Sequence, residues 1–185
     1  MTRLQIRPSL PDDIEAITHI YAANVLAGTG TFEIDPPTVQ DMAARRADVT
    51  GKGLPWLVAE VDGKVLGYAY ANHFRMRPAY RYTLEDSIYL APGSQGQGLG
   101  RLLLAELMAR CTALGVRQLL AVIGDSANLG SIGVHRACGF THLGVMPSVG
   151  WKFDRWLDVV MMQRALGQGD QTAPSGTPGM PGAST

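Results

Sequence analysis

An apolar strand pattern that runs directly into Gln95-Gly96-Gln97-Gly98-Leu99-Gly100, and an amphipathic helix pattern that runs directly out of it, constrain this chain more than any other feature. The strand side is Tyr82-Thr83-Leu84-Glu85-Asp86-Ser87-Ile88-Tyr89-Leu90, rich in β-branched and aromatic residues. The helix side, Arg101 to Leu114, carries Leu102, Leu103, Leu107 and Leu114, which are read as one apolar face. A glycine turn at a helix start suits an anion. Gly98 and Gly100 lack a Cβ, so the main chain can approach a ligand closely. The unpaired N–H groups and the positive end of the helix dipole converge on the same point. A ligand-free helix-start turn is the bland alternative.

Two standard phosphate motifs fail at specific positions. A dinucleotide fingerprint needs a glycine three residues beyond the second, where this chain has Arg101. A P-loop needs Gly-Lys followed by Ser or Thr, whereas Gly51-Lys52 precedes Gly53 and Gly63-Lys64 precedes Val65.

Other function classes are removed by composition. Sixteen Lys and Arg balance sixteen Asp and Glu, and no basic run forms a patch, so no nucleic-acid partner is expected. No apolar stretch is long enough to span a bilayer and the first residues lack a signal-peptide core, which predicts no membrane partner and a cytoplasmic location. Cys111 and Cys138 fall in helical patterns and read as free thiols. His19, His73, His135 and His142 are scattered without ligand spacing, so no metal is expected. With 46% hydrophobic and 17% charged residues over 185 positions, one globular domain is the default.

Along the chain, Leu4 to Arg7 reads as a strand, and Pro11-Asp12-Asp13 opens a helix ending near Asn24. Thr38 caps a second helix to about Val49, and Trp56–Val61 and Lys64–Ala71 form a hairpin through Asp62-Gly63. After the strand Tyr82–Leu90 and the helix Leu99–Leu114 come a strand Gln118–Ile123, a helix Asn128–Ala137, and closing strands near His142–Val145 and Trp156–Arg164. The order predicts an α+β fold around a central, mostly antiparallel sheet. A single domain over 1–166 is followed by a Gly/Pro/Ser/Thr-rich tail, 167–185, with almost nothing to bury and an expectation of disorder.

Gln95, Gly98 and Gly100 match the signature of the GNAT superfamily of acyl-CoA-dependent N-acyltransferases: Gln or Arg, two residues, Gly, one residue, then Gly or Ala. Asn128 to Phe140, ending Cys138-Gly139-Phe140, resembles the Asn-containing helix of that family. Arg75 to Tyr89, Ala121-Val122-Ile123-Gly124 and Trp156-Leu157-Asp158-Val159 resemble its phosphinothricin and methionine sulfoximine N-acetyltransferase branch, and the likeness runs from about Ile6 to Leu166. The resemblance implies a GNAT-like fold, a mixed and mostly antiparallel sheet flanked by helices. It also implies acetyl-CoA as co-substrate, a small-molecule amine as acceptor, and a homodimer.

An amine attacks a thioester only as the free base, so a proton acceptor must lie near it. The resembling branch carries its catalytic carboxylate at the position of Glu85, while the plain reading is a solvated strand carboxylate. Asp86, its neighbour, points to the opposite face of an extended strand. His135 stands where many relatives place a tyrosine that protonates the departing thiolate; a helix histidine hydrogen-bonded beside the coenzyme is the equal alternative. The resemblance further implies that the main chain of Ile88, Tyr89 and Leu90 pairs with pantetheine. It implies too that Gln95, Gly96, Gln97, Gly98, Leu99, Gly100 and Arg101 hold the diphosphate, and that Asn128 bonds the coenzyme, although Asn128 also serves as a plain N-cap. Phe32, Glu33, Arg75, Met76, Arg77, Glu85, Asp86 and Ser87 are the expected acceptor residues, the guanidinium forks of Arg75 and Arg77 suiting carboxylate or phosphinate oxygens. A surface loop of arginines would look the same. Rival readings are a GNAT enzyme for a protein N-terminus or a polyamine, and a CoA-binding module without turnover.

Overall fold

Asp62 and Gly63, both with positive φ, close the first hairpin of a computed structural model that describes residues 3–174, 176 and 178. This two-residue turn matches the twist of its strands and sets the register Val61↔Lys64. The elements in order are β1 (Leu4–Pro8), α1 (Ile14–Ala27), α2 (Val39–Gly51), β2 (Trp56–Val61), β3 (Lys64–His73) and β4 (Thr83–Leu90). There follow α3 (Leu99–Ala113), β5 (Gln118–Gly124), α4 (Leu129–Ala137), β6 (Thr141–Lys152) and β7 (Arg155–Ala165). One seven-stranded sheet has the order β1-β2-β3-β4-β5-β7-β6. Among the described residues only β4 and β5 pair in parallel, joined through α3, as a mixed but mostly antiparallel sheet requires.

The two faces of β4 meet different helices. Gly100 of α3 lies against Ile88, and His135 of α4 against Asp86. On the other face Tyr89 makes an edge contact with Tyr21 of α1, ring centroids 4.9 Å apart. Thr38 caps α2, accepting from the Asp41 N–H while the Asp41 carboxylate accepts from the Thr38 N–H.

Several boundaries differ from the sequence reading. Pro11–Asp13 is a 3₁₀ turn, and α1 runs on to Ala27, where Gly28 stops it. The last hairpin is much longer than expected: β6 spans twelve residues, most of them exposed on both faces, and a strand without one buried face does not show the alternation by which strands are recognised. On α3 the buried stripe is Leu99, Leu103, Leu104, Leu107 and Cys111. Leu102 is 43% exposed on the helix's outer side, and Leu114 has left the helix as its C-cap. Residues 167–174 of the tail form turns held by Arg117, whose Nη1 donates to the Gly169 carbonyl at 3.1 Å and to Thr172 Oγ1 at 3.2 Å. Most of the tail beyond residue 174 lies outside the described residues.

Leu103→Ala is expected to lose about 2–5 kcal/mol in urea unfolding, because it opens a cavity beneath the sheet. Leu102→Ala, on the solvent side of the same turn, should stay within about 0.5 kcal/mol of the parent.

Candidate active site

The parallel pairing of β4 and β5 begins at Thr83↔Gln118 and stops at Asp86↔Ala121, although β4 continues to Leu90 and β5 to Gly124. Beyond that point the strands diverge, and a cleft of about 790 Å³ opens between them, lined by Ser87–Leu90 on one side and Ala121–Ile123 on the other. The Ala91 N–H donates to the Leu66 carbonyl of β3, so by alternation the N–H and C=O groups of Ile88 and Leu90 point away from β3. They form a short open edge inside the sheet, and Asn24 Nδ2 already donates to the Leu90 carbonyl at 3.2 Å.

The cleft ends at the start of α3. Gly96 and Gly98 have φ of 77° and 79°, a left-handed conformation that side chains rarely adopt, and Gly98 is the N-cap. The first helical bond runs from the Leu102 N–H to the Gly98 carbonyl, leaving the N–H groups of Leu99, Gly100 and Arg101 without a helical partner at the cleft wall. A Cβ at Gly100 would meet Val134 at 3.5 Å, an ordinary contact, in keeping with Gly or Ala at that place in the signature. Gln97 does not line the cleft; its side chain donates to the Gly93 carbonyl at 3.2 Å. Asn128 lines it as the N-cap of α4, its Oδ1 accepting from the Ser131 N–H and its Nδ2 donating to the Gly124 carbonyl.

His135 and Asp86 form a buried pair at the cleft wall, with His135 2% exposed. Its Nδ1 lies 2.7 Å from the Ser131 carbonyl, which can only accept, so Nδ1 carries a hydrogen; Nε2 lies 2.9 Å from Asp86 Oδ2. Burial pushes the imidazole pKa down, but the Asp86 hydrogen bond and charge, helped by the Ser131 carbonyl, leave it raised above the ordinary value. Both ring nitrogens are therefore engaged. Asp86 Oδ1 has no partner among the described residues.

Glu85 projects to the other face, that of α1 and α2. Its cross-strand neighbour is Asn72, and the adjoining same-face pairs are Tyr70↔Ser87 and Tyr68↔Tyr89. Trp56 stacks on Tyr70 at 4.2 Å, so this face is panelled with aromatic rings. Burial, and after it the Asp86 charge, raises the Glu85 carboxyl above the usual carboxylate range. The pleat thus separates the two adjacent acids: Asp86 is committed to His135, and Glu85 is left on the aromatic face. Asp86 is accordingly not brought to the side where Glu85 and Ser87 would meet an acceptor.

The remaining predicted residues divide by place. Phe32 wedges its ring over Gly150 and Gly124, and Glu33 pairs with Arg45 at 2.7 Å. Arg75, Met76 and Arg77, in the connection between β3 and β4, line a second, open depression with Tyr80 that shares no residue with the cleft. Met76 is 82% exposed there. Asn24, Thr29, Gly30 and Asp125 line the cleft but were not singled out from the sequence. The positive φ of Asp125, 69°, belongs to a local turn in which its carboxylate accepts from the Ala127 N–H at 2.9 Å and its carbonyl from the Asn128 N–H at 3.0 Å. Among the described residues no cluster of three or more His, Cys, Asp or Glu could hold a metal ion, and no helix is long and apolar enough to cross a membrane.

A mixed sheet whose single parallel pair splays into a cleft, closed by a glycine turn at a helix start, is the architecture of acyl-CoA-dependent N-acyltransferases. The Acetyltransferase (GNAT) family model matches residues 15–140, and the chain belongs to that family as an acetyl-CoA-dependent N-acetyltransferase. It is 57% identical to a phosphinothricin N-acetyltransferase of Alcaligenes faecalis over 169 residues, 91% of this chain and 86% of that one. It is 39% identical to an L-methionine sulfoximine/L-methionine sulfone acetyltransferase of Salmonella typhimurium over 83% of this chain and 90% of the relative. The crystal structure of a GNAT superfamily phosphinothricin acetyltransferase from Sinorhizobium meliloti in complex with AcCoA superposes with a TM-score of 0.90 at 48% identity, covering 93% of each chain.

Breaking the buried pair from one side should be costly. His135→Leu leaves the Asp86 carboxylate buried alone and is expected to lose about 3–5 kcal/mol in urea unfolding, much of it recovered in the double variant with Asp86→Leu.

Proposed function

We propose that this enzyme transfers the acetyl group of acetyl-CoA directly to the α-amino group of a small amino-acid analogue of the methionine sulfoximine, methionine sulfone or phosphinothricin type. The observation that carries the proposal is Glu85: a half-buried carboxylate of raised proton affinity on the aromatic face of β4, two positions before the strand edge that opens into the cleft. The names of the relatives support the acceptor class. Glu85 takes the proton of the bound ammonium, the freed amine attacks the thioester carbonyl carbon to form the C–N bond, the C–S bond breaks, and the second proton lost by the attacking nitrogen goes to the departing thiolate, so that CoA leaves as the thiol. The main chain of Ile88 and Leu90 pairs with pantetheine, whereas the N–H and C=O groups of Tyr89 are turned to β3; the Leu90 N–H polarises the thioester carbonyl, and the N–H groups of the Gln95–Arg101 turn hold the diphosphate. Asn128 adds a bond from its amide.

Of the two readings of His135, engagement of both ring nitrogens favours the one in which it secures the coenzyme wall rather than donating a proton. Arg75 and Arg77 take the acceptor's anionic oxygens, Met76 and Ser87 contact its body, and Phe32 and Glu33 shape its pocket. We place the enzyme in the cytoplasm as a homodimer. The second copy covers the outer strand β6, where Leu143, Val149 and Trp151 are exposed beside Trp156, itself 61% exposed on β7. Sedimentation at micromolar concentration should give the mass of two chains.

Glu85→Gln is expected to lower kcat by about 10²–10⁴-fold while the acetyl-CoA KM changes little. In the parent, kcat falls as pH drops through the raised Glu85 pKa, and in the variant that acid limb disappears. Thiol release would be measured with methionine sulfoximine, phosphinothricin, spermidine and a short peptide. Parental rates in the variant would remove Glu85 from the mechanism. Turnover of spermidine or the peptide alone would replace the acceptor, and tight acetyl-CoA binding with no turnover of any amine would replace the enzyme by a binding module.

A further inference from the structure

Lys152, the last residue of β6, is a buried cation with no part in the steps above, and it is only 3% exposed. It makes no ion pair among the described residues. Its Nζ donates to the Gly28 carbonyl at 2.9 Å and to the Thr31 carbonyl at 3.0 Å. Gly28 is the C-cap of α1, a helix with no basic residue in its last turn, so the ammonium supplies from β6 the positive charge that the negative end of that helix favours. Burial lowers the Lys152 pKa and the Glu33 charge opposes this.

The segment it grips, Gly28–Glu33, faces two ways. Thr29 and Gly30 line the coenzyme cleft, whereas Phe32 packs on Gly124 and Gly150 and Glu33 pairs with Arg45, whose guanidinium lies over the Tyr21 ring on the aromatic face. Two further contacts set its path. The Tyr21 and Thr31 hydroxyls are 2.9 Å apart, and the Phe32 ring fills hollows at Gly124 and Gly150, where a Cβ would strike it. Both contacts are short-ranged and leave the carbonyls of Gly28 and Thr31 without donors, a deficit that one ammonium with three hydrogens satisfies.

We propose that Lys152 is a positioning residue: through Gly28 and Thr31 it pins the Gly28–Glu33 segment, so that one buried cation sets the coenzyme wall and the acceptor wall together. The acceptor half rests on the function proposed above, and the coenzyme half does not. Two converging carbonyls suit a compact point charge better than a planar fork, and an apolar side chain of equal length would strand both oxygens.

Lys152→Met tests this. It is expected to raise the KM for acetyl-CoA and for the amine about tenfold each with kcat within about threefold, and to speed amide exchange over residues 29–33 at least about tenfold. A core-cavity control, Leu166→Ala, lowers Tm without moving either KM. If Lys152→Met lowers Tm like the control while both KM values and exchange stay parental, the lysine merely fills space and the proposal falls. Should that variant not fold, Lys152→Gln is judged by the same measurements. If the parent turns over no amine at all, the acceptor assignment fails separately, while acetyl-CoA affinity by calorimetry and the exchange rates still decide the role of Lys152.

Discussion

The site rests on a sheet that gives up its own hydrogen bonds. Beyond Asp86 and Ala121 the parallel ladder stops, and the N–H and C=O groups of Ile88 and Leu90 are left to be met from outside the sheet. Buried backbone polar groups without partners are costly, so the opening is stable only if its rims are held apart and the free edge is wetted or filled. Asn24 answers one carbonyl, and the Asp86–His135 pair ties the α4 side of the cleft to β4 just where the strands begin to part. A peptide-like amide chain is the natural occupant of such an edge, which explains why the same splay serves an acyl-CoA enzyme.

The pleat of β4 then assigns different work to adjacent acids. Asp86 and Glu85 differ by one position and therefore by a face of the sheet. Asp86 is buried against an imidazole and becomes structural. Glu85, beside Tyr70 and Ser87, has no cationic partner among the described residues and no full access to water, and burial together with the charge of Asp86 raises its proton affinity toward the range useful to a base. Neither property belongs to a carboxylate alone; both come from what the other strands and helices place around it.

The sequence made some of this legible and hid the rest, for reasons that can be named residue by residue. The Asp62-Gly63 turn, the Thr38 cap and the Gly96/Gly98 turn are local, since each depends on dihedral angles or hydrogen bonds within a few residues. The length of β6 was missed because its exposed apolar residues break the alternation used to recognise strands. A run of leucines does not reveal its phase, so its pattern places the exposed Leu102 in the core, and a motif does not say which of its side chains turns back on its own loop, as that of Gln97 does.

By itself the sequence determined the α+β order of elements, the glycine turn at a helix start, and the candidate base one position from a second acid, because these depend on short-range periodicity and backbone freedom. Tertiary structure alone decided where the β4–β5 ladder ends, that both nitrogens of His135 are engaged, and that Lys152 reaches back to the end of α1. The last two join residues 49 and 124 positions apart. Burial and hydrogen-bond satisfaction between such distant partners are properties of the packed sheet and leave no local pattern in the chain.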